Sequence, residues 1–566
     1  MPPGEVVIGP IGNTDGPSLP SITTGADANI YVGAIEGGFI PTEPATVVRT
    51  SVPTQFVRFY NQYDYDTLGP ADGPWIATTN SVRGLTAEEI KNVLALPDLP
   101  NAVAIVQVPA GTCVLGGPGN PALGNFPADP PAVPTAGPWG AAGVPQYYIV
   151  GQTSAGNCAD PENLPETSYI ALTTLGTKAL AYEPNAGTGN PAAVASALDN
   201  ADYPQPFTPM DSVYNSLDLL NFTDADGFRG ALAQLSGEGN ADIASVSLQG
   251  AYNFLGVLRN QFRGTGPSWS SDEQPGRSSA DINLWLDVGA STADINGNGD
   301  THGLDSNFTT FAGGIDYKLT PAFTVGAALG YSRASFSVDD LATGGNADNY
   351  YATVSGSLQF GLAYIDAVAG YARSDTDINR SIAFVGQQGT TVGDTAGDAF
   401  IGAIEAGYRF DVSATTSIIP NVGLQVVSLH QDAFTEQGAE QLDLAIAGRD
   451  MTAARSLAGM DVRHRFDLGQ GDVPQGAARQ RNAVVANLRV AWAHDVSDPS
   501  RSVESSFVQL PSASFVVYGP SPDRDAAVIG LGLALEGAVT GFVRYDGEIS
   551  GNAQSHAGSI GVKGRF

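Results

Sequence analysis

Residues 555–566 read SHAGSIGVKGRF and end the chain on Phe566. Counting back from Phe566 to Gly558, every second position holds glycine or an apolar side chain, and Lys563 and Arg565 lie between them. Successive side chains of a β-strand point to opposite faces, so this strand has one apolar and one polar face. A strand of a soluble sandwich looks the same, so the fold depends on whether the preceding segments repeat the pattern.

The alternation recurs from near Asp281 to the end of the chain, for example in Val484–Trp492, Ala527–Leu535 and Val539–Ile549. We count about twelve such segments of roughly ten residues, the length of a tilted strand that crosses a bilayer. The pattern predicts a mainly β fold with a C-terminal transmembrane antiparallel β-barrel of about 12 strands. Aromatic residues near segment ends on the apolar side predict an interfacial girdle: Tyr317, Tyr331, Tyr371, Tyr408, Trp492 and Tyr545.

The predicted connections between these segments are of two kinds. Those at Thr320-Pro321, Gly361-Leu362 and 413–415 are short, whereas the alternating ones are long and polar. Short turns on one side and long loops on the other are typical of an outer-membrane barrel, with the turns and the carboxyl terminus in the periplasm. The predicted long loops lie near 289–307, 336–348, 374–397, 430–453 and 495–524.

The composition and the opening residues bear on the function and the export of the chain. The 566 residues include 26 basic and 58 acidic side chains, a net charge of -32, which disfavours nucleic-acid binding. The two cysteines, Cys113 and Cys158, predict a disulfide in an exported protein, and two unrelated buried thiols are the alternative. The opening MPPGEVVIGP lacks the regions of a signal peptide, so we expect a processed form or a start downstream of the true one.

The chain before the barrel divides by composition. Residues 1–50 are rich in Gly, Pro, Thr and Ala and predict an irregular arm. Residues 51–184 predict a small α+β passenger domain, with strands near 54–59, 102–109 and 146–151 and one helix that Thr86 and Glu89 cap reciprocally.

Helices are predicted next. Residues 185–240 predict a helical spacer that includes a helix capped by Asn190. Residues 241–275 predict a lumenal helix and linker, because the small and polar residues of Ala241–Phe262 suit a narrow, wet tube, although an ordinary amphipathic linker helix remains an alternative. Residues 276–566 are the predicted barrel.

Several stretches resemble the autotransporters of type V secretion. They are ALAQLSGE (231–238), LWLDVGASTADINGNGD (284–300), FTVGAALGYSRASF (323–336), RDAAVIGLGLAL (524–535), VRYDGEISGNAQSHA (543–557) and the final Arg565-Phe566. The resemblance covers about residues 230–566. It implies a barrel of about twelve strands, a helix that threads its lumen and an N-terminal passenger displayed on the cell surface.

The chain departs from the family pattern at two points. Gly564 stands two residues before the end, where the insertion signal of the family usually has an aromatic or large apolar residue. The helix also lacks the paired asparagines at which self-cleaving members break the chain. We therefore expect a passenger that stays attached, and its lack of an internal repeat distinguishes it from β-helical passengers.

The passenger offers little catalytic chemistry. All five histidines lie in the barrel half: His302, His430, His464, His494 and His556. A passenger without histidine cannot contain a Ser-His-Asp or Cys-His catalytic site or a histidine-ligated zinc. Acid-pair catalysis is still open, but no pair stands out. We therefore predict that the protein is not an enzyme and that it binds no cofactor. We assign no catalytic, cofactor-binding or metal-binding residues.

Two sets of charged residues are open to both a functional and a structural interpretation. In DINGNGDTHGLD, Asp294, Asn296, Asn298, Asp300 and Asp305 have the spacing of a calcium loop, but they join two predicted strands without flanking helices, which favours a solvated loop. Charges on the lumenal face could form channel selectivity rings, but mutually neutralising pairs are favoured: Asp281, Asp316, Lys318, Asp366, Glu405, Arg409, Asp461, Arg463, Arg465, Arg489, Arg544, Asp546, Glu548, Lys563 and Arg565.

The sequence therefore predicts an outer-membrane autotransporter whose barrel anchors, exports and displays a short non-enzymatic passenger with an adhesion or surface-layer role. The alternative is a porin-like channel with a periplasmic N-terminal domain. Expected partners are outer-membrane lipid, the barrel-assembly machinery through the C-terminal strand, and a surface ligand or neighbouring passenger.

Overall fold

The structure is a computed structural model. It describes residues 181–202, 204, 208–263, 282–468, 483–497, 501–537 and 539–566, and, in the first part of the chain, 8–10, 26, 45–50, 54–60, 75–82, 85–94, 96, 99–100, 102–108, 112–118 and 145–149. The chain divides into two compact units. The first comprises Met1–Gly187, Ala195–Leu232 and Ala383–Gln388, and the second Thr188–Val194, Ala233–Ile382 and Gly389–Phe566.

The first unit contains a seven-stranded sheet. Its strands are β1 (Ile8–Pro10), β2 (Thr46–Thr50), β3 (Thr54–Tyr60), β4 (Trp75–Thr78), β5 (Ala102–Val108), β6 (Cys113–Pro118) and β7 (Pro145–Ile149). They lie in the order β1-β2-β6-β7-β4-β3-β5. Strands β1 and β2 fall within the range predicted to be irregular, and the β-branched TVVRT of β2 suits a sheet. Cys113 is buried in β6, but Cys158 lies outside the described residues, so the disulfide stays a prediction.

The helices are α1 (Thr79–Val82), α2 (Ala87–Val93), α3 (Glu183–Ala186), α4 (Gly189–Asn200), α5 (Pro209–Thr223), α6 (Ala225–Ser236) and α7 (Gly239–Arg263). The capping box of α2 is confirmed, since Glu89 N donates to Thr86 Oγ1 at 3.2 Å and Thr86 N to Glu89 Oε2 at 2.8 Å. Ile90 of α2 packs with Val57, Leu219 and Phe222 in a buried cluster. In the described part of the chain, no helix is both long enough and apolar enough to cross a membrane.

Asn190 differs from its predicted role. Helix α4 begins at Gly189, so Asn190 lies inside its first turn and is not the cap. Its side chain instead pairs with the backbone of Tyr518, donating from Nδ2 to Tyr518 O at 2.8 Å and accepting from Tyr518 N at 2.9 Å. A side chain this short and polar satisfies either role, and sequence alone gave no sign of the distant partner.

The second unit is a closed barrel of twelve long antiparallel strands, as predicted. They are β8 (Ile282–Ile295), β9 (Leu304–Thr320), β10 (Phe323–Val338), β11 (Thr343–Phe360), β12 (Ala363–Phe384), β13 (Gln387–Tyr408), β15 (Thr416–Gln431), β18 (Arg449–Asp467), β19 (Ala483–Asp495), β22 (Asp525–Glu536), β23 (Val539–Ile549) and β24 (Ala553–Arg565). The short β14 (Phe410–Asp411) pairs with β15. Last strand β24 pairs with first strand β8 over thirteen residues, which closes the cylinder.

The two faces of the strands segregate as the final strand predicts. Leu531, Leu533 and Leu535 are about half exposed on the outside, whereas Arg544 and Lys563 are each 7 % exposed on the inside. A closed sheet pairs every backbone group in the lipid and leaves no open edge. The predicted girdle residues Tyr317, Tyr371, Tyr408, Trp492 and Tyr545 are 40–50 % exposed on the outer face.

Several predicted long loops are wrong. Strands β12 and β13 run through most of 374–397 and turn at Val385-Gly386, and β10 and β11 are joined by only residues 339–342. In both strand pairs the alternation continues beyond the lipid, where the outward-facing residues are polar. The composition of these segments therefore resembles that of loops. The regions near 430–453 and 495–524 instead form a four-stranded loop sheet of β16 (Phe434–Thr435), β17 (Leu444–Ile446), β20 (Ser502–Phe507) and β21 (Leu510–Tyr518), with a 3₁₀ turn at Glu440–Leu442. The barrel thus has a loop end and an opposite turn end.

Placing a cation on the lipid face is expected to destabilise the barrel. Leu533 of β22 projects outwards and is 52 % exposed. Leu533→Arg should cost about 2–4 kcal/mol of folding free energy in lipid, because the guanidinium loses its water without gaining a partner. Urea titration of the chain in lipid vesicles, followed by tryptophan fluorescence, measures this cost. Leu533→Phe keeps an apolar side chain and should change it little, and equal costs for the two variants would contradict a lipid-facing position.

Candidate functional site in the barrel lumen

Helix α7 fills the inside of the barrel. Its Phe254 stacks on Tyr351 of β11 with ring centroids 4.4 Å apart, and Ala244, Leu248 and Leu255 join the same buried cluster. A Cβ at Gly330 of β10 would overlap the Phe254 ring. The barrel wall therefore has a glycine at the position where the helix presents its large aromatic side chain. The small residues that indicated a narrow tube therefore match the shape of the lumen.

The direction of the helix follows from its end contacts. Gly239 lies against Val338 and Thr343, at the loop end of the barrel. Arg259 reaches Glu405, close to the point where β13 ends at the turn end. The helix therefore enters at the loop end and finishes towards the turn end.

Near the turn end, Arg259 binds two barrel carboxylates. Its Nε donates to Glu405 Oε2 at 2.6 Å and its Nη2 donates to Asp461 Oδ2 at 2.8 Å. Tyr364 donates to Glu405 at 2.8 Å and Asn421 to Asp461 at 2.8 Å. The guanidinium can serve both acids at once because it presents several donors in a planar fork.

A second polar group fixes the next helix residue. Asn260 Nδ2 donates to Asp546 Oδ2 at 2.9 Å, and Arg544 Nη2 donates to the Asn260 carbonyl at 3.1 Å. Arg544 also pairs with Asp287 at 3.4 Å. Buried charges in this part of the lumen are thus matched by opposite charges and hydrogen bonds, as a stable low-dielectric site requires.

At the loop end, a buried pair holds the start of the helix. Arg380 of β12 is 1 % exposed, and its Nε donates to Glu436 Oε1 at 2.8 Å. Arg380 Nη1 also donates to the Gln234 carbonyl at 2.8 Å, and Asn240 Nδ2 donates to Glu436 Oε1 at 2.8 Å. Barrel wall, loop sheet region and helix entry therefore meet at one ion pair.

Two further arginines at the loop end of the barrel bind the first turns of α7. Arg449 Nη2 donates to the Ala241 carbonyl at 2.9 Å, and Arg501 Nη1 donates to Ser245 Oγ at 2.9 Å. Both cations lie near the buried carboxylate of Asp242, whose oxygens have no hydrogen-bond donor among the described residues. Their positive charges offset only part of the cost of burying this acidic group.

His302, in the loop between β8 and β9, contacts the residue that precedes the helix. Its backbone N donates to Glu238 Oε1 at 2.6 Å, and its Nδ1 lies 2.9 Å from Glu238 Oε2. The hydrogen bond with Glu238 raises the pKa of His302 above its ordinary value of 6.5. Because the pKa of His302 is raised in the folded protein, the pairing with Glu238 stabilises the fold fully at a pH below the ordinary pKa. This stabilisation is lost as the pH rises through the raised pKa.

His302→Gln is therefore expected to remove a pH-dependent part of the stability. The difference in free energy of unfolding between the wild type and this variant should be largest in mild acid and shrink as the pH rises through the raised pKa of His302. Urea titrations of both proteins at a series of pH values measure it. A difference that stays constant or grows with pH would contradict the assigned pairing.

The predicted lumenal charges form pairs across the wall and with the helix. Examples are Lys563 with Asp316 at 3.5 Å and Arg463 with Glu536 at 3.7 Å. Asp281 lies outside the described residues. The sequence did not single out Arg259, Arg380, Asp287 or Glu436, because neither the rotation of the helix nor the loop sheet can be read from strand alternation.

The possible calcium residues do not converge. Asp294 and Asp305 face each other on paired strands β8 and β9. Asn298 instead accepts from the backbone N of Asp300 at 2.7 Å and of Thr301 at 3.0 Å, which closes a tight turn. Among the described residues, no three His, Cys, Asp or Glu side chains are grouped as a metal site would need.

The remaining histidines are spread around the outer face of the barrel. His494 stacks beside Trp492 and His556 beside Tyr545, while His464 packs edge-on against Phe466. His430 pairs with Asp450 at 2.8 Å. The structure brings none of these four histidines into the lumen, where they could act together.

Comparison with known proteins gives one family match. Residues 284–546 match the family model described as the autotransporter beta-domain. Among curated relatives, an extracellular serine protease of Serratia marcescens is 22 % identical over 365 residues, which cover 62 % of this chain and 32 % of the relative. Esterase EstA of Pseudomonas putida is 23 % identical over 276 residues, 46 % of this chain and 40 % of the relative. The chain thus spans between about a third and two fifths of the length of these relatives.

Two solved structures are similar in fold. The translocator domain of autotransporter NalP from Neisseria meningitidis is 18 % identical with a TM-score of 0.43, and the match covers 58 % of this chain and 99 % of that domain. The β-domain of the Bordetella autotransporter BrkA is 16 % identical with a TM-score of 0.36, covering 50 % of this chain and all of that domain.

Proposed function

We propose that this chain, which is an autotransporter with a C-terminal outer-membrane β-barrel domain, displays its N-terminal region on the cell surface as a permanently attached, non-enzymatic passenger. The β-domain resides in the outer membrane and exports the passenger. In this proposal residues 51–184 form the passenger domain and 185–240 the spacer, and the role on the surface is adhesion or surface-layer formation. The barrel-assembly machinery would recognise the C-terminal strand.

The observation that carries the proposal is the attachment of helix α7 at both of its ends. Arg259 is bound by two carboxylates near the turn end, and Asn240 is bound by Glu436 at the loop end. Removing a helix held in this way would leave several charges buried without partners, at a cost of several kcal/mol. A helix that stays in the lumen keeps the passenger connected to the membrane.

The non-enzymatic part of the proposal rests on composition. The first histidine of the chain is His302, in the barrel half, so the passenger lacks the base that serine and cysteine hydrolases use. The names protease and esterase belong to the relatives, of which this chain spans only a part.

Protease shaving of intact cells tests display and attachment together. A chain tagged at its N-terminus should lose the tag to external protease and, without protease, should run as one full-length species in the outer-membrane fraction. Full protection of the tag would favour the porin-like channel with a periplasmic domain. Release of a tagged fragment into the medium would instead contradict permanent attachment.

A further inference from the structure

We propose that the outer surface of the barrel binds a phosphorylated glycolipid of the outer leaflet, in a groove where the first and last strands, β8 and β24, meet. The groove has a volume of about 780 Å³ and spans strands β23, β24, β8, β9 and β10. The proposal goes beyond display and does not depend on the passenger, since every residue of the groove belongs to the β-domain.

A row of directly opposed residues forms the groove. Tyr545 faces Gly558, Gly558 faces Ala290, Ala290 faces Thr309, and Thr309 faces Arg333. Three small residues thus lie between two large ones. Since neighbouring strands are about 4.8 Å apart, the two walls are separated by roughly 19 Å along the sheet. This width suits a headgroup of sugar size better than a single acyl chain.

The floor of the groove is open at Gly558. A Cβ built on this glycine would have its nearest neighbour 4.0 Å away, at the carbonyl oxygen of Arg544. At many other barrel glycines a Cβ would clash with a neighbouring atom, as it would with the Phe254 ring at Gly330. Gly558 has no such neighbour, so its lack of a side chain leaves space on the lipid side of the wall.

The walls of the groove carry one exposed cation, Arg333, and a histidine that can form hydrogen bonds, His556. Arg333 is 59 % exposed, and its nearest acid is Asp348 at 4.0 Å, the limit of an ion pair, while Tyr331 donates to the same acid at 2.6 Å. The guanidinium therefore keeps donors for a phosphate, with which it can form bidentate hydrogen bonds. On the opposite side, His556 Nδ1 lies 2.8 Å from the Tyr545 hydroxyl, which leaves the second ring nitrogen for a ligand.

The next row towards the turn end is apolar and faces the lipid. Val288, Phe311 and Ile560 are 42–63 % exposed there, opposite one another on β8, β9 and β24. A ligand that fits both rows has acyl chains next to an anionic headgroup. Charge complementarity thus favours a phosphorylated lipid over a neutral lipid, and the apolar row favours a lipid over a soluble anion.

Native mass spectrometry of the full chain in detergent, titrated with diphosphorylated lipid A, tests the proposal. The double variant Arg333→Ala with His556→Gln should bind lipid A about tenfold more weakly, through loss of charge-assisted hydrogen bonds. Arg373→Ala is the matched control, because Arg373 is also exposed on the outer face but belongs to β12, outside the groove. It should bind as the wild type does.

A second variant tests the shape of the groove without removing a charge. Gly558→Leu should fill the floor and weaken lipid A binding by a similar factor of about ten, while the heat-modifiable shift on gel electrophoresis shows that the barrel is folded. Dephosphorylated lipid A should bind poorly to the wild type, and inorganic phosphate should not displace the bound lipid. Wild-type affinity in both groove variants, or displacement by inorganic phosphate, would overturn the proposal.

Discussion

Replacing Arg259 with leucine is expected to produce one of the two largest losses of barrel stability. The substitution leaves Glu405 and Asp461 buried without the cation that donates to both, at 2.6 and 2.8 Å. Breaking a buried ion pair by removing one partner costs about 3–5 kcal/mol, mostly from the charge that stays behind. Urea titration in lipid vesicles should show this loss, and the helix should become more accessible to hydrogen exchange.

A surface pair provides the control for this loss. Arg229 binds Asp226 at 2.6 Å, with the two side chains 48 % and 94 % exposed, so Arg229→Leu should cost less than about 1 kcal/mol. Arg259→Lys should fall between, because one ammonium group cannot reproduce two hydrogen bonds from separate nitrogens. Equal losses for Arg259→Leu and Arg229→Leu would show that the helix is not held by this cluster.

Arg380→Met is the second substitution with a large expected effect. Arg380 is almost fully buried, and its loss leaves Glu436 charged in the interior and the Gln234 carbonyl without this donor. We expect a cost of about 3–5 kcal/mol. Because Glu436 lies in the connection between β15 and β18, external protease should cleave 432–448 faster in this variant.

Two further variants separate charge from fold. Arg373→Met changes an arginine on the same strand whose side chain is 46 % exposed, and it should leave the cleavage rate unchanged. Arg380→Met combined with Glu436→Leu removes both charges and should recover part of the lost stability, since an apolar pair can replace a buried ion pair, although Asn240 and the Leu444 backbone N lose their acceptor. If the double variant is as unstable as Arg380→Met alone, the buried charge is not the cause.

Sequence alone could predict the barrel because one rule, side-chain alternation, applies to every strand. Lys563 and Arg565 already showed which face of the last strand is polar. The same rule misled the prediction at 374–397, where β12 and β13 leave the lipid and become polar on their outer faces, while Ile378 and Ile382 stay buried on the inner face. Polar composition marks solvent contact, and a strand beyond the membrane has that contact as much as a loop has.

The lumenal site was less predictable for a different reason. The partners of Arg259 are 146 and 202 residues away along the chain, and no local pattern connects them. Glu405 and Asp461 were recognised as lumenal acids, but their cation comes from the helix, whose rotation strand periodicity does not determine. Arg380 was missed because its segment was interpreted as a loop. Side-chain alternation along the chain predicts which strand residues face the lumen. The three-dimensional packing then determines which charged residues pair.

The central claim is that helix α7 occupies the lumen of the closed barrel, and a cysteine pair tests it directly. Asn253 of the helix donates to Ser291 of β8 at 2.9 Å. In a Cys113→Ser, Cys158→Ser background, Asn253→Cys and Ser291→Cys should be joined by a short bis-thiosulfonate reagent in intact outer membranes. The account predicts efficient linkage for this pair and none for Asn253→Cys with the outward-facing Val288→Cys. Linkage to position 288, or none to 291, would contradict it.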